Sequence, residues 1–206
     1  MTDVTDVNRR SVLVLDAMGV IYRAGNDVAE LLIPFIREKG GTDDADRIDA
    51  AYREASLGRI TAAAFWRQVG VPHEWEDEYL RRHVVTDGVA ELLERAQTRF
   101  ERVYCLSNDV SEWSRKLRRW FQLEPHFAGW YISGDLGLRK PDARIYAHLL
   151  AKLAVDPKQV VFVDDRVKNL DPAAALGIHT VHYNVGNSRS DSGHQTITEL
   201  AALVED

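Results

Sequence analysis

This chain of 206 residues is poor in several features that would point to particular classes of protein. Its single cysteine, Cys105, excludes an internal disulfide and is typical of a reducing cytoplasm. Acidic residues outnumber basic ones by 32 to 26, which disfavours a general nucleic-acid binder, because such proteins carry a basic face. No apolar run is long enough to cross a membrane, and no signal peptide is recognisable. The sequence therefore predicts a cytoplasmic protein without a nucleic-acid or membrane partner, and no pattern in it bears on oligomeric state.

The overall balance of residues is that of an ordinary globular protein, with 45% hydrophobic and 28% charged residues. The length suffices for one sizeable core, or for a core with a small inserted domain. The sequence contains no Walker phosphate loop, no GxSxG nucleophile motif and no zinc-ligand spacing. The function must therefore be sought in the order and placement of individual polar residues.

Five short apolar runs, rich in β-branched and aromatic residues, predict buried strands. They span residues 11–16, 102–108, 129–133, 159–165 and 178–184. Amphipathic helices lie between the later strands, and the apolar residues that share a face are Val89, Leu92, Leu93 and Ala96, then Val110, Trp113, Leu117 and Trp120, then Ile145, Leu149 and Leu153. Strands that alternate with helices predict a parallel sheet with helices on both faces. The segment "TITELAALVE" predicts a short closing helix, after a loop over residues 185–195.

One long segment, residues 23–86, departs from this alternation because it contains helical patterns and no convincing strand. Glycines at Gly40, Gly41, Gly58 and Gly70 separate these patterns from one another. We predict a helical cap domain over 23–86, inserted into a core built from residues 1–22 and 87–206. The fold class is α/β, a Rossmann-like parallel sheet sandwiched by helices with an inserted helical cap domain.

Polar side chains follow three of the predicted strands. Asp16 ends the first strand, Ser107 and Asn108 end the second, and Asp164 and Asp165 end the fourth. Ligands of open α/β sheets bind at the carboxyl ends of the strands, so these residues are candidates for one site. Three carboxylates that converge are costly unless a cation lies among them, and Mg²⁺ prefers oxygen ligands of this kind.

Two further features fit the same site. Lys140, in Lys140-Pro141-Asp142 at the start of a helix, offers a second positive charge. Ser107 and Asn108 precede a helix, where side chains and free backbone amides are suited to hold an oxyanion. Each feature alone is more typical of helix capping or of a surface position. Their combined order along the chain favours a catalytic site.

Four segments of this sequence resemble the four motifs of the haloacid dehalogenase (HAD) superfamily of hydrolases. They are "VLVLDAMGV", "YCLSND", "GLRKPDARIY" and "VVFVDDR", and the resemblance covers residues 11–184. The helical insertion resembles a C1-type cap. The segments "GRITAAAFWRQVGV" and "SGDLGLRKPDARIYAHLL" are similar to those of sugar-phosphate phosphatases in this superfamily.

The resemblance implies a role for each matching residue. Asp16 is expected to be the nucleophile that forms an aspartyl-phosphate, and Ser107 with Asn108 would bind the transferred group. Lys140 would neutralise negative charge. Mg²⁺ would be held by Asp16, Asp164, Asp165 and the backbone carbonyl of Met18. A small phosphorylated metabolite is the expected substrate, and the residues expected to contact it are Met18, Gly19, Arg23, Trp66 and Asn108.

The sequence departs from the phosphatase pattern at Met18, where those enzymes have a second aspartate that protonates the leaving alcohol and later activates water. A thioether does neither, and general acid–base catalysis contributes ~10²–10⁴-fold to rates. Met18 therefore predicts a slow phosphatase. Three alternatives stay open: a 2-haloacid dehalogenase, which has tyrosine there and needs no acid; a phosphonatase, for which Lys39 is the only cap lysine; and a scaffold that binds a phosphorylated ligand or protein with little turnover.

Overall fold

The computed structural model describes residues 11–185 and 192–205, so most of the predicted loop 185–195 lies outside the described residues. The described chain contains six β-strands, which are β1 (Val12–Leu15), β2 (Arg102–Ser107), β3 (Gly129–Ile132), β4 (Val160–Asp164), β5 (His179–Tyr183) and β6 (Gln195–Ile197). They form one sheet in the order β3-β2-β1-β4-β5-β6. All neighbouring strands are parallel. The five predicted strands and the predicted parallel sheet are confirmed.

The central strand β1 is buried on both faces, which explains its continuous apolar sequence. Leu13 and Leu15 point into one hydrophobic cluster, whereas Val12 and Val14 point into another on the opposite face. This alternation follows from the two-residue period of a strand. β1 lies between β2 and β4, with Val12 paired to Arg102 on one side and to Val160 on the other.

The described residues contain nine α-helices, which are α1 (Ile33–Glu38), α2 (Ala45–Ala55), α3 (Ala62–Val69), α4 (Glu76–Leu80), α5 (Val89–Arg99), α6 (Ser111–Trp120), α7 (Ser133–Leu136), α8 (Ala143–Leu153) and α9 (Val167–Ala175). Helices α8 and α9 pack on the face that Val12 and Val14 reach. Helices α5 and α6 pack on the other face. Within 11–185 and 192–205, no helix combines the length and apolar character that a bilayer crossing requires.

The segment between β1 and α5, here called the insertion (residues 23–86), is helical as predicted. It contains α1 to α4, a π-helical turn at Val28–Leu32 and a 3₁₀ turn at His73–Trp75. Local signals set the helix limits: the side chain of Asp44 accepts a hydrogen bond from the amide of Arg47 at the start of α2. Gly70 ends α3 in the left-handed conformation, with φ 78°.

An aromatic cluster joins the insertion to the core. Trp113 of α6 contacts Trp66 and Tyr79 of the insertion, with ring centroids 5.6 and 5.1 Å apart. The carboxylate of Glu76 accepts hydrogen bonds from the indole nitrogens of Trp66, at 2.9 Å, and Trp113, at 2.8 Å. The insertion therefore shares its hydrophobic core with α6, and the division into two domains at residues 22/23 and 86/87 stays a prediction.

Two expectations for local structure were wrong. Trp120 was expected on the buried face of α6, but it is 38% exposed at the last residue of that helix, where the Arg81 guanidinium lies 5.5 Å from its ring. The predicted C-terminal helix begins as strand β6 and ends as a 3₁₀ turn, Leu200–Leu203. Ile197 pairs with Tyr183 of β5. The extended conformation prevails because β-branched residues fit a strand and β5 offers them an edge to pair with.

Candidate active site

The site lies at the carboxyl edge of the sheet, between β1 and β4. The strand order reverses at this pair, since β2 and β3 lie to one side and β5 and β6 to the other. Asp16 leaves β1 directly, and its amide donates to the carbonyl of Val163 in β4 at 2.9 Å. Asp164 is the last residue of β4. A reversal of strand order opens a crevice between the two loops, where ligands of such sheets bind.

Lys140 lies between the carboxylates of Asp16 and Asp164 and is 4% exposed. Its Nζ is 2.7 Å from Oδ1 of Asp16 and 2.7 Å from Oδ2 of Asp164. Burial lowers the pKa of Lys140, but the charges of Asp16 and Asp164 outweigh burial and leave the pKa above its ordinary value. The lysine is therefore a fixed cation at the expected nucleophile.

Asp16 is held by one carboxylate oxygen. Oδ1 accepts from the amide of Ala17 at 2.6 Å and contacts Lys140. Among residues 11–185 and 192–205, no hydrogen-bond donor reaches Oδ2. Burial, followed by the charge of Asp164, raises the pKa of Asp16 well above its usual range, against the opposing effect of Lys140. An oriented carboxylate with one oxygen left over is what in-line attack on phosphorus requires.

The two adjacent acids Asp164 and Asp165 have different environments. Oδ1 of Asp164 accepts from the amide of Arg166 at 2.9 Å, and both its oxygens accept from Nδ2 of Asn169 at 3.0 Å. Asp165 has a buried Oδ1 without a hydrogen-bond partner in the described chain. Burial and the charge of Asp164 raise the pKa of Asp165 to about 6. Asp164 thus orients Lys140, whereas Asp165 retains a free ligand oxygen.

The residues present fit a magnesium ion. Asp16, Asp164 and Asp165 each offer an oxygen, and these oxygens lie within 4.8 Å of one another. The buried Oδ1 of Asp165 has no partner of its own in the described chain, and an all-oxygen donor set suits Mg²⁺. Met18, whose carbonyl was expected to be a ligand, lies two residues after Asp16 and lines the same cavity.

Gly19 serves the acidic cluster by leaving space for Asp165. It adopts a positive φ of 83°, and a Cβ atom at this position would lie 2.5 Å from Cγ of Asp165. The turn is closed by a 2.7 Å hydrogen bond from the amide of Gly19 to the carbonyl of Tyr22. Gly19 therefore has a packing role against Asp165, and its expected contact with the substrate stays a prediction.

Ser107 and Asn108 line the cavity, but their side chains differ in availability. Oγ of Ser107 is buried and has no partner in the part of the chain that the structure describes. The side-chain amide of Asn108 makes two hydrogen bonds with the backbone of Lys140: Nδ2 donates to the carbonyl at 2.9 Å, and Oδ1 accepts from the amide at 2.8 Å. Ser107 is free to hold a ligand, and the Asn108 side chain holds the lysine segment in place; the expected contact of Asn108 with the transferred group stays a prediction.

Two of the expected substrate contacts lie away from the cavity. Trp66 is fully buried in the aromatic cluster, and its indole nitrogen donates a hydrogen bond to Glu76. Arg23 is exposed, pairs with Asp87 at 3.0 Å and borders a separate cavity of about 450 Å³. Lys39 lies 2.6 Å from Glu78 and over the ring of Trp75, and it is not among the lining residues of the cavity that contains Asp16.

The cavity itself is small, about 90 Å³. Besides the expected site residues, it is lined by several that the sequence did not single out. From the insertion these are Asp27, Asp49 and Tyr52, and from the core Arg139 and Arg166. Tyr52 donates from its hydroxyl to the carbonyl of Asn108 at 3.1 Å. Arg139 donates to Oγ of Ser56, and Arg166 donates to the carbonyl of Gly25. Arg139 and Arg166 lie within motif segments, which is the only signal that pointed to any of them.

A family model identifies the class of protein that this fold and site define. The model of the haloacid dehalogenase-like hydrolases matches residues 11–177, most of the chain. The chain belongs to this family of hydrolases.

Solved structures share the fold over nearly the whole chain. A HAD family enzyme of Bacteroides thetaiotaomicron, solved with magnesium and inorganic phosphate, gives a TM-score of 0.74 at 23% identity and covers 87% of this chain and 97% of that one. A HAD phosphatase of Thermococcus onnurineus gives 0.74 at 19% identity, with 94% and 95% covered. A dehalogenase gives 0.65 at 19% identity, with 97% and 100% covered.

Curated relatives match over shorter stretches. The tyrosine-protein kinase PtkA of Mycobacterium tuberculosis is 33% identical over 114 residues, which cover 55% of this chain and 39% of PtkA. The sesquiterpene phosphatase astK of Aspergillus oryzae is 31% identical over 80 residues, which cover 39% of this chain and 41% of astK. The match thus spans about two fifths of the length of these relatives.

Proposed function

We propose that this protein is a Mg²⁺-dependent phosphomonoesterase that acts through Asp16 on a small phosphorylated metabolite. The observation that carries the proposal is the buried Asp16–Lys140–Asp164 arrangement, with both Nζ contacts at 2.7 Å. The unpartnered oxygen of Asp165 beside it supports a cation site. The magnesium and phosphate bound by the Bacteroides enzyme, and the phosphatase activity in the names of two other relatives, point the same way.

The chain's own residues divide the reaction between them. Oδ2 of Asp16 attacks phosphorus, the bond to the leaving oxygen breaks, and an aspartyl-phosphate forms. Lys140 holds Oδ1 of Asp16 in place and offsets the negative charge of the phosphoryl group. Oγ of Ser107 donates to a phosphoryl oxygen. Asp16, Asp165 and the carbonyl of Met18 would hold Mg²⁺, which supplies charge neutralisation when bound. Water then hydrolyses the aspartyl-phosphate.

Met18 sets the rate that we expect. The thioether cannot protonate a leaving alkoxide, so esters of poor leaving groups react slowly. The hydrolysis rate of nitrophenyl phosphate is reduced least, because nitrophenolate leaves without needing a proton. Charged and polar side chains make up most of the cavity lining, among them Lys140, Arg139 and Arg166, which suits a small phosphate ester. The aromatic cluster around Trp113 opposes opening of the insertion.

Phosphate release from nitrophenyl phosphate and from a panel of small sugar and alkyl phosphates, with Mg²⁺ and with EDTA, tests the proposal. We expect turnover with Mg²⁺ that falls at least about 10³-fold in Asp16→Asn. The matched control is Asp46→Asn, an exposed acid on α2, which should retain the activity. Metal-independent turnover, or full activity of Asp16→Asn, contradicts the proposal.

Dehalogenation is the second candidate, favoured by the dehalogenase structure with a TM-score of 0.65. A halide leaving group needs no proton, so the absence of an acid at Met18 would not slow this reaction. Chloride release from 2-chloropropionate in EDTA would support this candidate. A phosphate-binding scaffold, the third candidate, is favoured by Met18 and would show bound phosphate without turnover of any ester.

A further inference from the structure

Asp27 is a buried carboxyl group of the insertion that lines the same small cavity as Asp16 and Met18. It is 5% exposed, and its Oδ2 has no hydrogen-bond partner among the described residues. Nor does a cation of the described chain lie within ion-pair distance of it. A buried carboxyl oxygen without a partner costs stability, and titratable groups in such surroundings cluster at functional sites.

The groups that face Asp27 come from several elements. Burial raises the pKa of Asp27 to about 6, although the charges of Arg166 and Arg139 oppose the rise. The charge of Asp27 in turn contributes to the raised pKa of Tyr52, Tyr79 and Asp109. A group that exchanges its proton near neutral pH is suited to transfer protons in both directions.

We propose that Asp27 performs the proton transfers for which Met18 has no group, in the phosphatase reaction proposed for Asp16. In the first step the Asp16–phosphorus bond forms, the bond to the leaving oxygen breaks, and that oxygen takes the proton of the Asp27 carboxyl. In the second step water attacks phosphorus, the Asp16–phosphorus bond breaks, and the Asp27 carboxylate takes a proton from that water. The carboxyl group returns to its starting state, so no further reactant is needed.

The other polar groups of the cavity are less suited to this role. Both oxygens of Asp164 are occupied by Lys140 and Asn169. Tyr52 donates its hydroxyl proton to Asn108, and burial, then the charge of Asp27, raise its pKa well above the usual range. Asp49 lies on the exposed side of the cavity. Backbone amides of Val28 and Asp27 also lower the pKa of Asp27, but its Oδ2 is left as a buried carboxyl oxygen without a contact in the described residues.

Single-turnover phosphorylation with two leaving groups tests the inference. Formation of the aspartyl-phosphate is followed by intact-protein mass spectrometry and, for nitrophenyl phosphate, by the burst of nitrophenolate. We expect Asp27→Asn to keep the nitrophenolate burst but to form aspartyl-phosphate from glycerol phosphate at least about tenfold more slowly. Asp27→Glu should recover part of the loss, and Asp46→Asn, an exposed acid, should behave as the wild type.

Two further measurements separate proton transfer from a purely structural role. The wild-type rate with glycerol phosphate should fall as the pH rises through about 6, and this fall should be absent from Asp27→Asn. Adding Met18→Asp to Asp27→Asn should restore the lost rate, because it returns an acid to the site.

Equal losses with both leaving groups, or no rescue by Met18→Asp, would overturn the role of Asp27 while leaving Asp16 as the nucleophile. A wild type that forms no aspartyl-phosphate from either ester would instead remove the proposed function, and with it the reaction that Asp27 is inferred to serve.

Discussion

The two sides of the active-site cavity are built in different ways. On the core side, Asp16, Lys140 and Asp164 form a paired charge cluster with contacts of 2.7 Å. On the insertion side, Asp27 is buried and Oδ2 has no partner in the described residues, while Asp49 is exposed. The charged triad of the core side is thus paired without a ligand, whereas the insertion side holds a buried carboxyl oxygen that no described residue contacts.

This difference indicates a division of work. Fixed charges close to the nucleophile cost no reorganisation during the reaction, so they suit the chemistry that the family shares. An unpartnered acid costs stability and suits the part of the reaction that depends on the leaving group. The two sides should therefore respond differently to substitution.

The largest effect is expected from removing the cation of the core side. Lys140→Met leaves Asp16 and Asp164 buried without compensation, which should lower the free energy of unfolding by about 3–5 kcal/mol. Phosphate release should fall at least about 10²-fold. Urea denaturation and a steady-state assay measure both, and Lys152→Met, an exposed lysine of α8, is the matched control. Equal stability of the two variants would show that the cluster is not a paired unit.

On the insertion side, removing the charged group should raise the free energy of unfolding instead of lowering it. The folded protein raises the pKa of Asp27 from 3.8 to about 6, so ionisation penalises the folded state progressively as the pH rises from about 4 to 6. Asp27→Asn removes this penalty. The free energy of unfolding of the variant minus that of the wild type should therefore be up to about 3 kcal/mol larger at pH 7 than at pH 3. Thermal unfolding across this pH range measures the gain.

Asp142 provides a control with a shift in the other direction. Hydrogen bonds from Arg144 lower its pKa to about 2, so its contribution to stability is present above pH 3.8 and is lost as the pH falls toward 2. Asp142→Asn should therefore lose stability at neutral pH relative to acid pH. A wild type and Asp27→Asn that change in parallel with pH would contradict the environment described for Asp27.

Restoring the missing acid should sharpen the comparison. In the Asp27→Asn background, Met18→Asp is expected to speed hydrolysis of alkyl phosphates about tenfold to hundredfold and that of nitrophenyl phosphate less, because only the former needs a proton. Met18 is 6% exposed in an apolar cluster, so the variant should also melt at a lower temperature. Met18→Leu is the matched control without an acid. An equal gain for both esters would make this account of position 18 wrong.

The smallest effect is expected outside the cavity. Arg23→Ala removes an exposed pair with Asp87, which should change stability by about 1 kcal/mol or less and leave KM within about twofold. Arg139→Ala should raise KM more, because Arg139 lines the cavity and offers a positive charge to a phosphate ester. Its guanidinium also packs over the ring of Tyr52, another lining residue. Equal effects of Arg23→Ala and Arg139→Ala on KM would contradict the placement of Arg23 outside the substrate cavity.

Much of the core side was predictable from the sequence, because each functional residue follows an apolar strand directly. The carboxyl ends of adjacent parallel strands meet, so Asp16 and Asp164 had to lie close together once β1 and β4 paired. Lys140 was predicted by its motif, and the structure gives it contacts to both acids. The engagement of the Asn108 side chain with the Lys140 backbone was not predictable, since a strand-end asparagine has several possible partners.

The insertion side was much less predictable. Helical periodicity identified the buried faces of its helices, yet periodicity does not say which neighbour covers a face. Trp66 was therefore expected at the substrate and instead packs against Trp113. Asp27 attracted no attention in the sequence, where a polar residue before a helix is typical of capping.

The sequence by itself determined the parallel sheet, the helical insertion and the strand-end acids with their lysine, because apolar periodicity and strand direction are local properties. It also determined that position 18 has no proton-transferring side chain. Only the tertiary structure decided which carboxyl groups of the insertion line the cavity of Asp16, and that Asp27 is the buried one of them. That outcome depends on how helices from distant parts of the chain pack together, and burial in that packing raises the pKa of Asp27 to about 6.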